Sequence, residues 1–138
     1  SLHRILGEGL PHVYERHRRA AAAVREGAMC LNLNPFVENE EEASKSVSAI
    51  SVPRGLDAGR VKSFMEDRFH ICVGEGLEEL KGKILRIGHM ANTAREEFIM
   101  LTLGALGAAL TAEGKRGDIQ AALHRVSEIF AEANMSVT

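Results

Sequence analysis

Hydrophobic and polar positions along this chain repeat with two periods, one near four and one of two, and these divide it into helices and short strands. Beyond Leu10, Val13, His17, Ala20, Ala21, Val24 and Ala28 recur on one helical face, and Pro11 suits a first turn, where its missing N–H costs nothing. Arg16, Arg18, Arg19, Arg25 and Glu26 are expected largely on the solvated side of that helix. Because a helix spreads Arg16, His17, Arg18 and Arg19 around its cylinder, the run predicts a solvated face, not a phosphate patch. Ahead of it, Leu2, Ile5 and Leu6 already show helical spacing, which suggests a piece of something longer. After Leu33 come Asn34, Pro35, Phe36 and Val37 and then an acidic run over 38–42, read as an exposed loop or hairpin connection.

Residues 46–52 alternate as a strand, which Pro53 ends because proline cannot donate to a ladder. Arg54, Gly55 and Leu56 form a turn, and Asp57 caps a helix to about Phe69 that buries Val61, Phe64 and Met65. Ile71, Cys72 and Val73 read as a short buried strand, and Gly74, Glu75 and Gly76 as turn chemistry, since a lone G-x-G lacks the rest of a dinucleotide fingerprint. Between Gly82 and Gly88 lies a strand whose period of two sends Leu85 and Ile87 to one face and Ile84 and Arg86 to the other. His89 projects with Leu85 and Ile87, as a packing or hydrogen-bonding histidine. Thr93 and Glu96 have capping-box spacing for a helix reaching about Glu113, with Phe98, Ile99, Leu101, Leu103, Leu106 and Leu110 as its apolar face. Small residues there (Gly104, Ala105, Gly107, Ala108 and Ala109) permit close approach of a neighbour, and Gly114 stops it. A last helix over 118–134 carries Ile119, Ala122, Leu123, Val126, Ile129, Phe130 and Ala133 at regular spacing. The predicted fold class is α+β in two layers, a short-stranded mixed or antiparallel sheet with helices on one face. It forms a single domain over 1–138, with entering helices over 1–28 and the sheet and helical layer over 46–134.

Composition narrows the picture. The 138 residues include 45% hydrophobic and only 4% aromatic side chains with no Trp, so aliphatic and small residues must build the core. A net charge of −2 and a pI near 6.3 argue against nucleic acid or an anionic membrane as partner. Cys30 and Cys72 sit in apolar surroundings and are expected as buried free thiols in a reducing compartment. The apolar run over 98–110 is too short to span a bilayer, and cytoplasm is the expected location. His3, His12, His17, His70 and His124 show no metal-ligand spacing, so no metal is expected.

An arginine inside an otherwise apolar strand needs an anion. From the local pattern alone, that anion is either a ligand carboxylate or one of Glu75, Glu78 and Glu79 in the preceding loop. Two classes of protein fit. A stand-alone amino-acid-binding regulatory module with a ferredoxin-like core would enclose Arg86 in a pocket made by the chain or its dimer mate, whereas one severed domain of an enzyme would leave it on an open face. RNA binding is disfavoured because the strand lacks base-stacking aromatics.

The segment over 81–90, KGKILRIGHM, closely resembles a signature of class V pyridoxal-phosphate-dependent aminotransferases, the family of alanine–glyoxylate, serine–pyruvate and some aspartate aminotransferases. Gly9, Leu10 and Pro11 with the arginine-bearing helix, residues 48–53 and residues 69–76 resemble the family's other segments in the same order. Ala91 and Asn92 depart from it, standing in place of a usual glycine and its neighbour. The resemblance implies the C-terminal small domain of a fold-type I enzyme, with Arg86 gripping the substrate α-carboxylate. It also implies pyridoxal 5'-phosphate held by a large domain of the same protein, a small amino acid (alanine, serine or aspartate) as donor, glyoxylate or pyruvate as acceptor, and a homodimer. Lys45, Lys62, Lys81, Lys83 and Lys115 do not resemble the family's Schiff-base lysine, so the fragment by itself is expected to be inactive.

Overall fold

Helix α1 spans Leu10–Cys30 with Pro11 in its first turn, as its period requires. The computed structural model describes residues 9–36, 47–76, 78–89 and 94–136. The spacing expected over 2–6, the acidic run over 38–42 and the Thr93 half of the capping box lie outside them.

Beyond α1 the chain turns through Asn32, at φ 64°, whose side-chain amide donates to the Arg116 carbonyl at 2.8 Å. It then enters β1 (Asn34–Pro35), a two-residue edge strand within a stretch whose sequence reads as loop. Proline is tolerated there because an edge strand need not donate on both sides. Strand β2 (Val47–Ser51) pairs with β1 and with β4 (Ile84–Gly88), and β4 pairs with β3 (Gly74–Glu75). The order is β1-β2-β4-β3, antiparallel throughout.

Helix α2 (Ala58–Phe69) begins as expected, with the Asp57 carboxylate accepting from the Gly59 N–H at 2.8 Å. It ends on His70 at φ 57°, and the Ile71 N–H then bonds the Met65 carbonyl. That closing turn corrects the expected strand over 71–73: it occupies the chain at Ile71, and pairing with β4 starts only at Gly74. Of the three residues only Val73 is buried, and Cys72, expected as a buried thiol, is exposed. A 3₁₀ turn at Glu78–Leu80 leads back to β4. Helix α3 (Glu96–Ala112) has Arg95 at its N-cap with no side-chain capping bond, and α4 (Ile119–Ser136) follows Asp118, which accepts from the Ala121 N–H at 2.9 Å.

The helices form a layer on one face of the sheet. α1 lies against β1 and β2, and α2 against β3 and β4. α3 packs on α1 and α2, and α4 on α1 and α3. Ile50, Leu85 and Ile87 meet Val24, Val61, Met65, Leu103, Leu106 and Val126 in an aliphatic core. The architecture is therefore the two-layer α+β fold expected, with an antiparallel sheet. Two burial expectations are corrected. Arg25 is only 6% exposed, because α1 contacts the sheet, α3 and α4 and has less solvated surface than an isolated amphipathic helix. Phe98 and Leu101 are 44% and 61% exposed, because the buried stripe of α3 runs through Ile99, Leu103, Leu106 and Leu110 and leaves them beside it.

The close approach expected on α3 occurs at Gly107. A Cβ there would collide with Ile119 Cγ1 and stand 3.3 Å from Leu31 Cδ2, whereas at Gly104 it would meet nothing within 4 Å. The same substitution in one helix should therefore act in opposite directions. Gly107→Ala should destabilise by about 1–3 kcal/mol through overpacking, and Gly104→Ala should stabilise by roughly 0.5–1 kcal/mol through helix propensity. Urea midpoints at unchanged m-value check both, and equal shifts of one sign would refute the packing argument.

Candidate functional site

Alternation along β4 determines what faces out. Leu85 and Ile87 are 1% and 3% exposed on the helix side, opposite Ile50 and Ser48, while Arg86 is exposed on the other face. Its register partners there are Ala49 on β2 and Gly74 on β3. With such small neighbours the side chain lies across β3, and its Nε–H donates to the Glu75 carbonyl at 2.8 Å. One donor is thereby fixed to the backbone, and no hydrogen bond or ion pair among the described residues takes up the two terminal amino groups.

No ion pair among the described residues involves Arg86. Glu75 offers its carbonyl, not its carboxylate: Oε1 points to the first turn of α2, 3.4 Å from where a side chain on Gly59 would begin. A helix N-terminus favours negative charge there. Arg125, Arg18 and Arg60 contrast with this. Arg125 contacts Glu26 at 2.8 Å, Glu128 at 3.0 Å and Glu132 at 3.7 Å, and the Glu26 hydrogen bond raises its pKa further. Arg18 bonds Glu15 at 2.6 Å and holds that carboxyl below its usual range, and Arg60 pairs with Glu113 at 3.2 Å. Those guanidiniums are already neutralised.

His89 is fully buried and shares a 2.8 Å hydrogen bond with Ser48 Oγ, the residue of β2 opposite Ile87. It faces the core and not the guanidinium, as strand parity expects. Lys62 lies on α2, Lys81 and Lys83 precede β4, and Lys115 follows α3. Lys81, Lys83 and Lys115 are exposed, and none of the four makes an ion pair or hydrogen bond with a buried carboxylate among the described residues. These residues do not fit a pyridoxal phosphate, which needs a lysine beside a carboxylate and a cradle of donors for its phosphate. Among the described residues no His, Cys, Asp and Glu group could hold a metal ion, and no helix is long and apolar enough to cross a membrane.

Sequence reasoning missed Gly74 and the Glu75 carbonyl as parts of the Arg86 site. The available signal was a glycine beside a strand, which marks close backbone approach as often as a turn.

No family model matches the chain. Among the curated proteins, L-aspartate–glyoxylate aminotransferase of Paracoccus denitrificans is 37% identical over 113 residues, covering 75% of this chain and 28% of the relative. Serine–glyoxylate aminotransferase of Methylorubrum extorquens is 33% identical over 98 residues, covering 71% of this chain and 24% of the relative. Among solved structures, pyridoxamine–pyruvate aminotransferase from Mesorhizobium loti superposes with a TM-score of 0.90 at 29% identity, covering 96% of this chain and 34% of that one. The fold is thus one found within aminotransferases. The homologues of this chain are class V aminotransferases, and it spans about 28% of the length of the first such relative.

The Ser48–His89 bond closes the outer end of the β2–β4 ladder inside the core. Ser48→Ala should cost about 1–3 kcal/mol, because it leaves a buried imidazole nitrogen without this partner. A urea midpoint unchanged from wild type would contradict that role.

Proposed function

We propose that the chain is the C-terminal small domain of a pyridoxal-phosphate-dependent aminotransferase and that Arg86 holds the α-carboxylate of its substrates. The carrying observation is an arginine on an open sheet face with no carboxylate partner among the described residues, anchored through Nε alone. The names of the three relatives support this. Their donors differ as aspartate, serine and pyridoxamine, but each acceptor is glyoxylate or pyruvate, a 2-oxo acid with a carboxylate beside its carbonyl. Pyridoxamine carries no carboxylate, so the feature common to all three reactions is the carboxylate of the acceptor. For this chain the acceptor is glyoxylate or pyruvate, and the donor is alanine, serine or aspartate. The homodimer implied by the family resemblance belongs to the same reading, as does a cytoplasmic location, which the free thiols of Cys30 and Cys72 fit.

Arginine suits the task because its planar fork makes two parallel charge-assisted hydrogen bonds and keeps its charge at any working pH. Two-point contact also stops the small acid from turning about its carboxylate, so its carbonyl or amine is presented in one orientation. Since the described residues do not fit the cofactor, the electron-accepting chemistry belongs to groups outside them. Exposure of Arg86 disfavours a regulatory module whose pocket is formed by this chain alone.

In the complete enzyme, Arg86→Ala should lower kcat/KM for the 2-oxo acid by an amount equivalent to several kcal/mol, on the scale of a charged group that loses its partner. Arg86→Lys should recover part of it, keeping the charge without the fork. Near-normal kcat/KM in Arg86→Ala would overturn the assignment. The isolated chain, mixed with amino acid, 2-oxo acid and pyridoxal phosphate, should show no enzyme-level turnover.

A further inference from the structure

Gly74 stands directly opposite Arg86 in the β3–β4 ladder. Its backbone does not require glycine: the glycines at positive φ among the described residues are Gly9, Gly55, Gly82 and Gly114. Glycine within a strand weakens it and commonly marks a place where another group must come close. Here that group is the arginine itself. A Cβ on Gly74 would stand 3.3 Å from Arg86 Nε, 3.3 Å from Nη2 and 3.5 Å from its Cβ. The path taken by the guanidinium thus runs over the space that a side chain at position 74 would fill, and it ends with Nε on the carbonyl of the next residue, Glu75, at 2.8 Å.

We propose that Gly74 is a positioning residue for the carboxylate-binding arginine. Without a side chain it lets the guanidinium lie flat on β3, where the Glu75 carbonyl fixes Nε and the two Nη groups keep one direction. The inference rests on the reading of Arg86 as a carboxylate clamp. A Cβ alone demands a shift of only a few tenths of an ångström, whereas the branched side chain of valine fills the path outright. Gly88 provides the control: it lies on the same face of β4, two residues from Arg86, and a Cβ there meets nothing within 4 Å.

Two measurements test this, one on geometry and one on function. In the chain itself, hydrogen exchange of the Arg86 Nε–H, followed by ¹⁵N NMR, should be slowed in wild type and in Gly88→Ala, and should speed up in Gly74→Val. In the complete enzyme, Gly74→Val should raise KM for the 2-oxo acid on the order of tenfold with kcat little changed, below the roughly 10²-fold that a 1 Å misplacement costs. Gly74→Ala should shift both readouts the same way by less, and it decides the matter if the valine variant does not fold. Combined with Arg86→Ala, Gly74→Val should add nothing, because the two act through one group. Unchanged exchange and unchanged KM in the Gly74 variants would overturn the inference, as would a KM effect that persists in full without Arg86. If Arg86→Ala itself leaves kcat/KM intact, the clamp reading fails, and the exchange measurement still reports separately whether Gly74 sets the geometry.

Discussion

The alternation of β4 is the constraint on which both core and site depend. Leu85 and Ile87 point into the helix layer and Arg86 points away from it, and a slip of one residue would exchange the two sets. Each of those two aliphatic side chains contributes about 1.5–3 kcal/mol by being buried. A slip would forfeit that and place a guanidinium among Ile50, Val61 and Leu103, where no anion waits. The core therefore enforces the outward direction of Arg86. Pairing on both edges of β4, five residues to β2 and two to β3, holds the register. The Ser48–His89 bond secures its far end from inside.

What distinguishes Arg86 is the manner of its support. Arg18, Arg60 and Arg125 end on carboxylates, so their charge is answered within the fold. Arg86 is held by a neutral carbonyl through Nε, which fixes its direction, and among the described residues no carboxylate answers its charge. A site prepared in this way favours a planar anion presented face-on to the fork. Smallness matters as much as charge, because Ala49 and Gly74 on either side leave the guanidinium reachable. Under the proposed function that anion is the carboxylate of a small 2-oxo or amino acid.

Much of this was legible in the sequence wherever a period was long enough to read. Among the described residues the helices, the strand at Val47–Ser51 and the opposed directions of Arg86 and its neighbours Leu85 and Ile87 followed from spacing, and the buried partnership of His89 agreed with its parity. Ile84, expected on the open face with Arg86, is buried. Asp57 announced its helix through capping chemistry. Shorter features carried no period. β1 is two residues long and contains Pro35, and β3 begins at Gly74, so neither alternates. The apolar triplet over 71–73 imitated a strand while serving as the exit from α2. Arg25, Phe98 and Leu101 were misplaced because their burial depends on which neighbours surround a helix, which its own periodicity does not encode. The relation of Gly74 to Arg86 is a contact across strands, and only the register reveals it.

The most direct test is a structure of the complete enzyme with a bound 2-oxo acid. The account predicts both carboxylate oxygens about 2.7–3.0 Å from the guanidinium nitrogens of Arg86, with Nε still on the Glu75 carbonyl. A carboxylate held by other residues, with Arg86 left in solvent or paired to a protein carboxylate, would contradict it.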